Sequence, residues 1–214
     1  MSEAGPIEAR GALVLALRRA GIADVDVLRA IETVPREIFT PYRLRDLAEK
    51  DCPLPIACGQ TMASPRLLAT MLEALDLDPS QRVLEIGAGS GYATAVLARL
   101  SREIVSFEIY NALCIEARGR LEQLSVANAI IHHADGLDDP VRYGRFDRAI
   151  VHACLEAPPT EILGALAPGG KLVCALPAPS GQGEEIAVVD DAGLVARIGP
   201  ARLGRVARSV SAAL

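Results

Sequence analysis

Residues 83–93 read VLEIGAGSGYA. Four residues of mostly apolar character, Val83 to Ile86, stop at Gly87, Gly89 and Gly91, and the following YATAVLARL places apolar side chains at helical spacing. The pattern predicts a buried strand, a sharp turn and a helix. Glycines at such a turn let the backbone reverse tightly and let a ligand come against main-chain atoms, because no Cβ intervenes.

Working outward, the stretches EIVSFEI, NAIIHH, FDRAIVHA and KLVCAL read as further short apolar strands. Between them, NALCIEARGRLEQL and PPTEILGALAPGG read as helices. Strands alternating with helices give a central, mostly parallel sheet with helices on both faces, an α/β fold of Rossmann-like type. EIAVVDDAGLVARIG predicts two more strands in a hairpin turning at DDAG. Upstream, residues 7 to 50 carry helical periodicity broken by Pro35 and Pro41, which predicts an N-terminal helical cap. The expected division is residues 1–78 for the cap and acceptor-side segment and 79–214 for the core with its C-terminal strands.

The chain has 214 residues, half of them apolar, with a formal charge of −5, no tryptophan and 3% aromatics. That composition offers neither a basic phosphate-tracking surface nor stacking platforms, so nucleic acid is not expected as a partner. MSEAGPIEARGALVLALRRAG lacks a basic leader with an apolar core, and no apolar stretch approaches the ~20 residues that cross a bilayer. A cytoplasmic protein without a membrane partner is the expectation. Five scattered cysteines without a CxxC read as reduced thiols. His132 and His133 are neighbours in a strand, point to opposite faces and do not grip one ion together, so no metal site is expected.

The glycine spacing is GxGxG, not the GxGxxG of a dinucleotide fingerprint, and Glu85 precedes it. A carboxylate there repels a pyrophosphate and favours a cationic sulfonium, so S-adenosylmethionine fits better than a nicotinamide dinucleotide. Glu108 closes the second strand, where it can accept hydrogen bonds from both ribose hydroxyls, and Asp135 closes the third, within reach of an adenine amino group. Taken singly, Glu108 is equally a solvated strand end and Asp135 a turn former before Gly136. Three carboxylates at successive strand ends indicate a class I methyltransferase core. The cofactor set is Glu85, Gly87, Ala88, Gly89, Gly91, Tyr92, Glu108, Ile109, Asp135 and Gly136.

VPREIFTP, PLPIACGQT, VLEIGAGSGYATAVLARL, FDRAIVHA and LAPGGKLV, in that order and spacing, resemble the protein-L-isoaspartate O-methyltransferase family from about residue 10 to about residue 178. The resemblance implies methyl transfer from S-adenosylmethionine to the free carboxylate of L-isoaspartyl residues in damaged proteins, starting repair through a succinimide. It implies acceptor contacts at Thr61, Ala63, Ser64 and His152. The family continues GQT with an apolar residue and then a serine; here Ala63 takes that place and Ser64 follows, next to Pro65. Ser-Pro ahead of RLLATMLEAL also predicts a helix cap and first helical residue. His152 stands where the family has a threonine, and ARLGRVARSVSAAL has no Phe-Val-Pro-Leu run. His152 is read either as a charged donor to the acceptor or as a packed strand-end histidine. Two other readings stay open: methylation of another carboxylate in a specific partner, and a cofactor-binding module without transfer.

Overall fold

The computed structural model describes residues 5–210; the first four and last four residues of the ranges above lie outside it. The cap begins with helices α1 (Pro6–Arg19) and α2 (Val25–Thr33). Asp24 caps α2, its carboxylate accepting from the amides of Asp26 and Val27 at 2.9 and 3.0 Å. Prolines 35 and 41 then reduce the predicted helix to two 3-10 turns, Arg36–Phe39 and Tyr42–Leu47. A two-stranded antiparallel ribbon of β1 (Leu54–Pro55) and β2 (Thr61–Met62) leads into α3 (Pro65–Leu75).

The core runs β3 (Arg82–Ile86), α4 (Tyr92–Leu97), β4 (Glu103–Glu108), α5 (Asn111–Gln123), β5 (Ala129–His133), β6 (Phe146–Cys154), α6 (Thr160–Ala165), β7 (Leu166–Pro177), β8 (Glu184–Asp190) and β9 (Gly193–Ala201). The strands form one sheet in the order β5-β4-β3-β6-β7-β8-β9. Pairing is parallel from β5 through β7 and antiparallel for β7–β8 and β8–β9. The order reverses between β3 and β6, which opens a crevice at the carboxyl ends of those strands.

Alternation along the strands divides the core in two. Val83, Ile104, Ile131 and Ile150 face the cap, α3, α4 and α5, and join Leu17, Ile31, Leu72 and Val96 in one continuous cluster. Leu84, Val105, Phe107 and Val151 face the other way, against Ile162 of α6 and Leu137. Helices cover both faces as expected, but unequally. The helix expected over PPTEILGALAPGG is shorter than its pattern suggests: α6 stops at Ala165, and Leu166 already pairs with Phe146. Pro168 has no amide to continue the helix, and Gly169 turns at φ +76°. The hairpin at DDAG forms as read, with Asp190 opposite Gly193.

Candidate active site

The loop after β3 is left-handed at all three glycines, with φ of +90° at Gly87, +54° at Gly89 and +86° at Gly91. Its amides are engaged by β4. Gly87 and Ala88 donate to the carbonyl of Phe107 at 2.8 and 3.1 Å. Gly89 donates to Glu108 Oε2 at 2.8 Å, and the amide of Tyr110 donates to Glu108 Oε1 at 3.0 Å. The loop therefore does not present these amides to a ligand; it fixes the Glu108 carboxylate, 5% exposed, at the rim of the crevice. Each carboxylate oxygen keeps a lone pair for a further donor.

Two cavities meet in the crevice. Glu108, Ile109, Asp135 and Gly136 line the first, which the sequence assigns to the cofactor. Thr61, Met62, Ala63, Ala88, Gly89 and Tyr92 line the second. Gly87, His152 and Leu203 belong to both walls and form the junction. A donor and an acceptor held one in each cavity would meet there.

Five expected cofactor residues lie off the first cavity: Ala88, Gly89 and Tyr92 line only the second, and Glu85 and Gly91 line neither. Gly91 lines neither cavity; a Cβ on it would come 3.0 Å from Ala117 Cβ, so its smallness serves the packing of α4 on α5. Tyr92 is buried toward the cap, its ring edge-on to Phe39 at 5.6 Å and under the Arg36 guanidinium at 5.7 Å. Glu85 is completely buried and does not face a ligand. Its register opposite Ser106 and its face of the sheet bring it Ser106 Oγ at 2.7 Å, Thr94 Oγ1 at 2.5 Å and His152 Nε2 at 3.0 Å.

Asp135 does line the first cavity, but its carboxylate already has partners. Oδ1 accepts from Leu137 N at 3.0 Å, while Oδ2 accepts from Arg208 Nε at 2.9 Å and Ser209 N at 3.1 Å. The C-terminal segment reaches this point by pairing with the end of β6, Cys154 N donating to Gly204 O and Val206 N to Cys154 O. Leu203, Arg205, Val206 and Ala207 thereby wall the cofactor-side cavity, a contribution that no local pattern in ARLGRVARSVSAAL announces. Gly136 is needed for packing. A Cβ there would lie 2.4 Å from Ile86 Cδ1 and 2.6 Å from Phe107 Cγ. Gly136→Ala is expected to lose about 1 to 3 kcal/mol of stability by overpacking, measured by urea unfolding; an unchanged midpoint would show that both side chains step aside freely.

On the acceptor side, Ser64 caps α3, its Oγ accepting from Leu67 N at 3.3 Å, and it lies outside both cavities. Thr61 and Ala63 line the second cavity as expected. Ser64→Ala is expected to cost about 1 kcal/mol of stability and to leave turnover per folded molecule unchanged. A collapse of turnover in a fully folded variant would return Ser64 to catalysis. Arg36, within VPREIFTP, is fully buried and ties the segment down through Nη2 to Ala63 O at 3.1 Å, a burial that no local pattern announces. Gln60 closes the gap to the cofactor side, its Nε2 3.4 Å from Tyr110 Oη. His132 stacks on Phe107 and His133 Nε2 lies 3.1 Å from Ile109 O, so the two rings part company.

The sequence profile described as Protein-L-isoaspartate(D-aspartate) O-methyltransferase matches residues 8–193. The chain belongs to this family. A protein-L-isoaspartate O-methyltransferase of Rhodopseudomonas palustris is 46% identical over 159 residues, covering 74% of each chain. One from Caulobacter vibrioides is 43% identical over 171 residues, covering 80% of this chain and 75% of that protein. A solved protein-L-isoaspartate O-methyltransferase superposes with a TM-score of 0.82 at 25% identity, over 94% of this chain and 67% of the other. A second, from Plasmodium falciparum and bound to S-adenosyl-L-homocysteine, shares the fold with a TM-score of 0.80 at 22% identity, over 98% and 99% of the two chains. The matched span of this protein-L-isoaspartate O-methyltransferase family member holds the glycine loop, Glu108, Asp135 and His152, whereas Leu203 and Arg208 lie beyond it.

Proposed function

We propose that the protein methylates the free carboxylate of L-isoaspartyl residues in damaged proteins with S-adenosylmethionine, the first step of their repair. The observation that carries this reading is the junction at Gly87, His152 and Leu203 between a cavity edged by strand-end carboxylates and one walled by the GQT segment. The donor set suits the cofactor: Glu108 and Asp135 are acceptors for hydroxyl and amino groups, and nothing basic in the glycine loop calls for a phosphate. When bound, S-adenosylmethionine supplies a methyl group on a positive sulfur, which leaves as a neutral thioether when a carboxylate oxygen bonds to the methyl carbon. No proton moves, because a carboxyl with a pKa near ~4 is ionised at neutral pH.

The protein's task is alignment and exclusion of water. Glu108, held by two backbone amides, fixes the cofactor side. Met62, Ile56, Leu68 and Leu203 give the acceptor side apolar walls. Residues 1–78 supply three of these four side chains, and 79–214 all of the cofactor-side wall but Gln60. Five free cysteines, three of them buried, support a reducing, cytoplasmic setting. Radiolabelled S-adenosylmethionine, offered with an isoaspartyl peptide and its aspartyl twin, is expected to label only the first. Labelling of neither, with cofactor binding intact, would favour a binding module; labelling of a different carboxylate in a partner protein would favour a diverged acceptor.

A further inference from the structure

The second cavity must receive an anion, yet among the described residues that wall it one side chain alone can carry positive charge, His152. Hydroxyl donors are sparse there. Thr61 brings one neutral hydroxyl to the wall, but Ala63 has none, Ser64 is turned away as a cap, and Ser90 Oγ is already donating to Met62 Sδ at 3.3 Å. An ionised carboxylate stripped of water and left without a donor is strongly disfavoured, so the cavity needs a group that meets it.

His152 is held for that purpose on one edge of its ring. Nε2 lies 3.0 Å from Glu85 Oε1, and the Glu85 carboxylate is itself fixed through Oε2 by Thr94 and Ser106. Nδ1 has no protein partner among the described residues, and His152 borders both cavities at their junction. The charged and titratable groups around it are Glu85 on β3, Glu108 and Tyr110 at the end of β4, Asp135 after β5, Tyr92 on α4 and Arg205 on the C-terminal segment. Arg205 is committed to Glu156 at 2.9 Å. Apart from the sulfonium of the bound cofactor, the protein's own side chains thus offer an incoming carboxylate more repulsion than attraction unless His152 answers it.

We propose that His152 is the acceptor-binding residue of this enzyme: as an imidazolium it gives Nε2–H to Glu85 and Nδ1–H to the acceptor carboxylate, on the oxygen that does not attack. The proposal rests on the isoaspartyl reading above. It assigns the acceptor contact to the end of β6. It also supplies a direction to turnover. The methyl ester is neutral, so the charge-assisted hydrogen bond that holds the substrate weakens once the methyl group has arrived, and product is released in preference to substrate.

The test measures kcat and KM on one isoaspartyl peptide for wild type, His152→Gln and His152→Ala, with calorimetric affinity for S-adenosylhomocysteine and thermal melting beside them. His152→Gln keeps a neutral donor for Glu85 and guards against loss of folding. Its KM is expected to rise about tenfold, and that of His152→Ala about ten- to a hundredfold, with kcat changed less than KM. Affinity for S-adenosylhomocysteine is expected to stay within about twofold, since a cofactor-side role would move it and an acceptor-side role would not. Unchanged KM in a folded His152→Gln or His152→Ala protein overturns the assignment, and so does equal loss of cofactor affinity. Absence of wild-type turnover on every isoaspartyl peptide overturns the underlying reading and this one with it, an outcome distinct from an active wild type with an indifferent His152.

Discussion

Replacing Arg36 by methionine is expected to cost about 3 to 5 kcal/mol of folding free energy, although the residue lies outside both cavities. Arg36 is fully buried in the turn after Pro35. Its Nη1 donates to Ala48 O at 2.8 Å and Lys50 O at 3.3 Å, and its Nη2 to Cys52 O at 3.0 Å and Ala63 O at 3.1 Å. Four carbonyls of irregular chain share one guanidinium, which does there what a strand ladder does elsewhere. The charge itself is expensive to bury, and burial pushes this guanidinium below its usual range, but the plane also lies over the Tyr92 ring at 5.7 Å. Methionine fills a similar volume and donates nothing. Segment 48–52 and the carbonyl of Ala63 then lose their anchor together, so acceptor KM is expected to rise along with the loss of stability. Urea unfolding and peptide kinetics on the same preparation check both; a variant with normal stability and raised KM would separate loop positioning from folding, and one unchanged in both would remove Arg36 from the account.

Local chemistry made most of this fold legible. Strand, glycine turn and helix at 83–97 follow from short-range rules, and so do the α3 cap at Ser64 and the hairpin at Asp190. The α6 region misled because ILGAL has helical spacing, while Pro168 and Gly169, two and three residues beyond it, decide where the helix ends. In the site, the carboxylate positions were readable and their partners were not. Glu85 faces Ser106 and His152 only because β4, β3 and β6 lie side by side, a register that one strand's sequence does not contain. The same holds for Asp135, whose partners Arg208 and Ser209 are more than seventy positions away. Arg36 carried a signal of a kind, an arginine between prolines in a recognisable segment, but nothing local says that it is buried.

Glu108→Ala is expected to weaken binding of S-adenosylhomocysteine by about 2 to 3 kcal/mol, about 30- to 160-fold. Two losses add. The carboxylate at the rim of the cofactor-side cavity disappears, and with it the acceptors for Gly89 N at 2.8 Å and Tyr110 N at 3.0 Å. Gly89 sits at φ +54°, a conformation that the hydrogen bond to Glu108 helps hold in a loop whose Gly87 and Ala88 amides point to Phe107 O. Without that bond the loop can relax away from the junction that Gly87 shares between the cavities. Glu108→Gln separates the two contributions, because an amide oxygen can still accept from one backbone donor while the charge toward ribose hydroxyls is gone. The glutamine variant is expected to fall between wild type and alanine, and calorimetry of all three reads the split directly. Alanine and glutamine indistinguishable would assign the whole effect to charge; glutamine indistinguishable from wild type would reduce Glu108 to a brace for Gly89 and leave ligand hydroxyls to other groups.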